Sequence, residues 1–172
     1  MIISQDSLSE DAGSVVFWSN LYDVINSKDD YERYNSLLLN DNLFSYKSWY
    51  KLLEKLKDWK IDLDNCYITD ACKVYQFGPE KQNKFDIKKS KELLHKEINF
   101  CKPNLLILLG SKPLKLLLPD VNYCGAVERG EYLHFGEIKV VVSPFITGQG
   151  HTQKNYSKRL NIASELISQY MK

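Results

Sequence analysis

Asp70 ends the short apolar stretch Cys66-Tyr67-Ile68-Thr69 and is followed by Ala71-Cys72-Lys73; after a charged, helix-patterned segment, Lys102-Pro103-Asn104 leads into Leu105 to Leu109 and then Gly110. Two strand-to-loop transitions separated by one amphipathic helix place a carboxylate and a glycine turn at the same edge of a parallel sheet. That edge is where open α/β folds bind ligands. An ionised carboxylate there only accepts hydrogen bonds, so it suits a ligand that offers donors, such as an exocyclic amine. Asp6 lies in the polar stretch after a first strand, Met1 to Ser4, and Ser143 opens the loop after Ile138 to Val142. A plainer reading stands beside these: Asp6 and Asp70 as caps of the turns that follow them.

The elements that position these residues follow from periodicity. Val16, Phe17, Leu21 and Tyr22 recur near helical spacing, and Tyr46, Trp49, Leu52, Leu53 and Leu56 form one face of a helix that reaches Trp59. Gly78-Pro79 marks a loop from Val74 to Lys84, and Ile87, Leu94, Ile98 and Cys101 define the next helix, closed by Pro103. Leu105 to Leu109 is a continuous apolar run, the pattern of a strand covered on both faces. Ser111 is expected to cap a helix from Lys112 to Leu118. Glu131 to Phe135 and Ile138 to Val142 form a hairpin around Gly136, and a last helix runs from Tyr156 to Tyr170. Strands alternating with helices predict an α/β fold, a three-layer α/β/α arrangement with a central, mostly parallel four-stranded sheet, in one domain over residues 1–172.

With 172 residues, 44% of them hydrophobic, the chain is long enough to bury a core. A net charge of +1 rules out a polycation, so any nucleic-acid contact must come from a local basic face. Lys88, Lys89, Lys91 and Lys96, with Lys158 and Arg159, are candidates, although acidic neighbours dilute them. Four cysteines without a Cys-x-x-Cys pair, and no charged-then-apolar leader, give the expectation of a reducing, cytoplasmic setting. No apolar run approaches membrane-spanning length.

The chain resembles the uracil-DNA glycosylase superfamily, most closely its iron–sulfur branch in the central third. Tyr67-Ile68-Thr69-Asp70-Ala71-Cys72-Lys73 is similar to that branch's strand ending in Thr-Asn before a lysine, and Asp86 to Gly110 to its helix, Pro-Lys, apolar strand and Leu-Gly. Ser4-Gln5-Asp6 resembles the Gly-Gln-Asp that opens the pocket in the classical branch, and Ser143-Pro144-Phe145 falls where family members carry His-Pro-Ser. The resemblance covers Ile2 to about Phe145, with motifs that are imperfect at nearly every functional position, and three of the departures remove or alter a contact that the family's reaction uses. Ser90 stands at a cluster-ligand cysteine, and a hydroxyl cannot replace a thiolate on iron, so no cluster, metal or other cofactor is expected. Asp70 replaces the base-reading asparagine, which turns uracil's O4 into an unpaired neighbour of an acceptor, at about 1–3 kcal/mol, unless the carboxyl is protonated. Ser143 replaces the histidine that stabilises the departing base, and losing such a donor costs about 10²–10³ in rate.

What the resemblance implies for single residues is as follows. Asp6 holds a water or stabilises the cationic sugar, and Gln5 lines the pocket through its backbone amide. Phe17, or Val16, stacks on an extruded base, unless that helix face is simply core. Asp70 reads the base, and Lys73 is a surface charge or phosphate contact. Phe145, Ile146 and the glycines and cations up to Lys154 suit a wedge entering DNA, and His151 either folds back to replace the missing histidine or is merely solvated. His95 and His134 have no motif context.

Three functions follow. The first is a DNA glycosylase that extrudes a nucleotide and hydrolyses its N-glycosidic bond in base-excision repair, with DNA as partner. The second is a catalytically degenerate module on the same fold that binds nucleic acid or a protein partner. The third is a binder or hydrolase of free nucleobases or nucleotides.

Overall fold

The computed structural model describes residues 1–6, 44–73, 86–146 and 154–172, with the side chains of Asp6 and of residues 44–50 outside that description. Apolar residues alternate or run together in five segments that pair as one sheet: β1 (Ile2–Asp6), β2 (Ile68–Cys72), β3 (Leu105–Leu109), β4 (Leu133–Phe135) and β5 (Ile138–Ser143). The order across the sheet is β2-β1-β3-β5-β4. The first four are parallel neighbours, and β4 adds an antiparallel edge through the expected hairpin, with Phe135 opposite Ile138. The sheet therefore has five strands rather than four, because the first arm of the hairpin pairs with β5 and adds an antiparallel edge to the four parallel strands.

Side-chain alternation sends each strand's residues to two cores. On one face Ile2, Leu105, Ile107, Leu109 and Val141 pack with Leu52, Leu56 and Trp59 of α1 (Phe44–Trp59) and with Ala163, Leu166 and Ile167 of the C-terminal helix α5 (Tyr156–Tyr170). On the other, Ile3, Ala71, Leu106, Leu108, Val140 and Val142 meet Leu94 and Ile98 of α2 (Ile87–Cys101) and apolar residues of α3 (Ser111–Leu117) and α4 (Tyr123–Glu128). All five residues of β3 are buried, as a continuous apolar run requires. Trp59 is fully buried, and its indole N–H donates to Ser164 Oγ at 2.9 Å, which fixes α1 on α5 without leaving a buried donor unmet.

Local chemistry sets the element ends. The Asp86 carboxylate accepts from the Lys89 amide and starts α2, while Lys102, in the left-handed region at φ 45, ends it by donating its amide to Ile98 O ahead of Pro103. Ser111 is the first residue of α3 and not its cap: Gly110 takes the cap position, with φ 91 and no side chain to bond. α4 is an element that periodicity did not indicate; Asn122 caps it by accepting from the Gly125 amide. The expected helix near Val15 to Ile25 and the loop from Val74 to Lys84 lie outside the described residues.

Candidate functional site at the carboxyl edge of the sheet

The chain crosses from β1 to β2 on one side and returns from β2 past β1 to β3 on the other. The strand order thus reverses at β1 and β3, and a crevice opens outside the carboxyl ends of such a pair. Gln5 and Gly110 meet there. A β-carbon on Gly110 would stand 2.9 Å from Gln5 Cδ and 3.0 Å from Oε1, so the glycine is required twice, by its positive φ and by the side chain lying against it. Alternation puts the Gln5 side chain on the α2–α3 face with Ile3, leaving its backbone at the crevice.

Register carries the other candidates into one row. Ser4 is level with Asp70, and Leu109 is level with Ser143. Ile2 pairs with Ile107, so two residues on Ser4 is level with Leu109. The row reads Asp70, Ser4, Leu109, Ser143 across β2, β1, β3 and β5. All four lie on the α1–α5 face, being an even number of residues from Ile68, Ile2, Ile107 and Val141, which pack there. Ser4, Asp70 and Ser143 are each 0% exposed. At about 4.8 Å per strand, Asp70 and Ser143 stand about 14 Å apart. Asp6 is the last residue of β1, opposite Cys72.

The hydroxyls in the row differ. Ser143 Oγ donates to Pro144 O at 2.9 Å, so in this state it offers a ligand lone pairs and not a proton. Ser4 Oγ is buried with no hydrogen-bond partner among the described residues. Sequence motifs do not single out Ser4, although a serine in step with Ile2 within an apolar strand is a readable signal of a polar group facing the core.

Lys73 is not the surface cation expected from sequence. Its side chain is only 8% exposed, and its ammonium donates to Glu97 Oε2 and to Thr69 Oγ1, both at 2.6 Å, while Thr69 Oγ1 donates to the same Glu97 oxygen at 3.0 Å. Thr69 faces α2, opposite to Asp70, so this cluster ties the end of β2 to α2 and takes Lys73 away from phosphate. The wedge reading changes in the same way. Ile146 is 3% exposed and part of the α1–α5 core, and Phe145 is half-buried against that core. Lys154 is exposed just ahead of α5. Phe17 and His151 lie outside the described residues.

At the opposite edge, a cavity of about 380 Å³ is lined by Met1, Asn65, Cys66, Cys101, Pro103 and Tyr170, among others. Burial pushes the Cys66 and Cys101 thiols up and the Met1 amine down, so each favours its neutral form. Ser90 is buried inside α2, and no three His, Cys, Asp or Glu side chains gather as a metal site among the described residues. No described helix is long and apolar enough to cross a membrane.

The sequence matches the family model of the Uracil DNA glycosylase superfamily over residues 13–166, most of its length. The chain belongs to that superfamily. Its mostly parallel α/β sheet is the fold expected of a glycosylase-like protein, and the family's work on DNA makes DNA its natural partner. No curated protein matches the sequence.

Proposed function

We propose that the protein is a DNA glycosylase that receives an extruded nucleobase at the carboxyl edge of β1, β2 and β5 and hydrolyses its N-glycosidic bond. The observation that carries this is the single buried row of Asp70, Ser4 and Ser143 on one face, at the switch point of a superfamily member. In this reading a water oxygen bonds to C1′ of the sugar, the glycosidic electron pair leaves with the base, and a water proton passes to Asp6. Asp70 accepts from an amino group of the base, which favours amino-bearing bases over uracil. Phe17 stacks on the ring, the Gln5 backbone lines the crevice, His151 offsets charge on the leaving base, and Lys154 meets the DNA beside the pocket.

The test is single-turnover excision on oligonucleotides with one modified or deaminated base. Asp6→Asn is expected to abolish base release while thermal melting stays unchanged, and Asp70→Asn to shift preference toward uracil. Binding without base release from any such oligonucleotide overturns the enzymatic reading.

A second reading, a catalytically silent module that binds nucleic acid or protein, draws on Ser143. The family histidine's replacement spends its proton on Pro144 O, so no donor from that position aids a departing base. An Asp6→Asn protein that binds DNA as well as the parent, where the parent itself releases nothing, is the result that reading expects.

A further inference from the structure

We infer that Ser4 is the second base-reading residue of this pocket, and that with Asp70 it selects heterocycles carrying an amidine edge, an amino group beside an unprotonated ring nitrogen, as in adenine and cytosine. The inference rests on the reading of the row as a base pocket and names that pocket's ligand chemistry. Three observations carry it.

Ser4 Oγ is fully buried and makes no hydrogen bond among the described residues. Native proteins seldom leave a buried hydroxyl unsatisfied, and where they do, the group calls for an explanation such as a ligand or a water. Ser4 is also the direct register partner of Asp70 in the neighbouring parallel strand, on the same face. Their side chains therefore leave the sheet side by side, one strand spacing apart. Lastly, the two differ in chemistry. A hydroxyl donates to a ring nitrogen, while a carboxyl oxygen accepts from an amino group. Together they form the complement of an amidine edge. Uracil presents N3–H beside O4, so its donor and acceptor atoms do not match this pair at the same two positions. The serine is a departure of this chain from the glycine its first motif resembles, so the donor is an addition to the site.

The test measures binding of free adenine, cytosine and uracil by calorimetry, together with 1-deazaadenine and 3-deazacytosine, which keep the amino group and replace the ring nitrogen acceptor by C–H. Wild type is expected to bind adenine or cytosine about tenfold more tightly than its deaza analogue. Ser4→Ala and Ser4→Gly are expected to bind parent and analogue alike, at the affinity wild type shows for the analogue. Ser4→Ala is further expected to melt no lower than wild type, since it deletes a hydroxyl without a partner in the ligand-free protein.

Equal deaza sensitivity in wild type and Ser4→Ala overturns the role of Ser4, as does a clear drop in melting temperature. If Asp70→Asn still exchanges amino-base for uracil preference, the base-pocket reading survives that failure. Absence of any base binding by wild type, with no excision from oligonucleotides, removes both.

Discussion

Replacing Glu97 by Gln isolates the Lys73 cluster. The substitution keeps shape and removes the charge that faces an ammonium whose side chain is 8% exposed, leaving Thr69 Oγ1 as its remaining named partner. Breaking a fully buried ion pair costs about 3–5 kcal/mol, and a surface pair about 0–1. Glu97 is 25% exposed, so water screens one side of the bridge and the cost falls between, at about 2 kcal/mol. With a urea slope of about 2 kcal/mol/M, the unfolding midpoint moves down by about 1 M. Lys73→Met in the Glu97→Gln background removes the stranded charge and recovers most of the loss, which a double-mutant cycle reads directly. Lys73→Met in the otherwise unaltered chain binds DNA with an unchanged salt slope, because the wild-type amine already has a protein counter-charge in Glu97. A midpoint shift below about 0.2 M, or a salt slope lowered by about one charge in Lys73→Met, refutes this account of the cluster.

Three further outcomes follow from the structure. Gly110→Ala destabilises by about 1–3 kcal/mol through its φ of 91 and the clash with Gln5; Gln5→Ala in the same chain relieves only the clash, so denaturant melts of both separate the two causes. Cys124 is exposed, whereas Cys66 is partly buried with its thiol pushed up by burial, so a disulfide-exchange reagent titrates Cys124 first and Cys124→Ser loses that fast phase. The raised Cys66 thiol stays protonated when folded while the unfolded thiol ionises; its contribution is therefore intact below the ordinary thiol value and lost as pH rises above it, so Cys66→Ala flattens the alkaline fall in stability.

Local pattern was sufficient where an element is defined by its own residues. Leu105 to Leu109 announces a doubly covered strand, the spacing of Leu94 and Ile98 gives the buried face of α2, and Gly136 marks the hairpin. α4 escaped notice because six residues including Gly125 carry too little periodicity to distinguish from a loop. Ser111 has the composition of a cap, yet the positive φ at Gly110 moves the helix start by one residue. Lys73 looked solvent-facing because its counter-ion, Glu97, is on another element, and Ile146 looked like a loop tip because nothing local reveals the core it enters. The position of Ser143 at a strand end was legible in the sequence, whereas Asp70, expected to end its strand, lies in the middle of β2 because Ala71 and Cys72 continue the pairing; that Ser4 lies in the same row follows only from inter-strand register, which no single strand contains.

The central place of β1 has a kinetic consequence. Ile2 hydrogen-bonds to Tyr67 O on one side, while Met1 O accepts from Ile107 and the Met1 amine reaches Leu105 O, 104 positions along the chain, on the other. Because such distant pairings must close long loops before they return any stabilisation, they slow folding. The buried row that includes Ser4 thus assembles only once β3 has left the ribosome, and a nascent chain halted before that strand holds one side of β1 as an unmatched sticky edge.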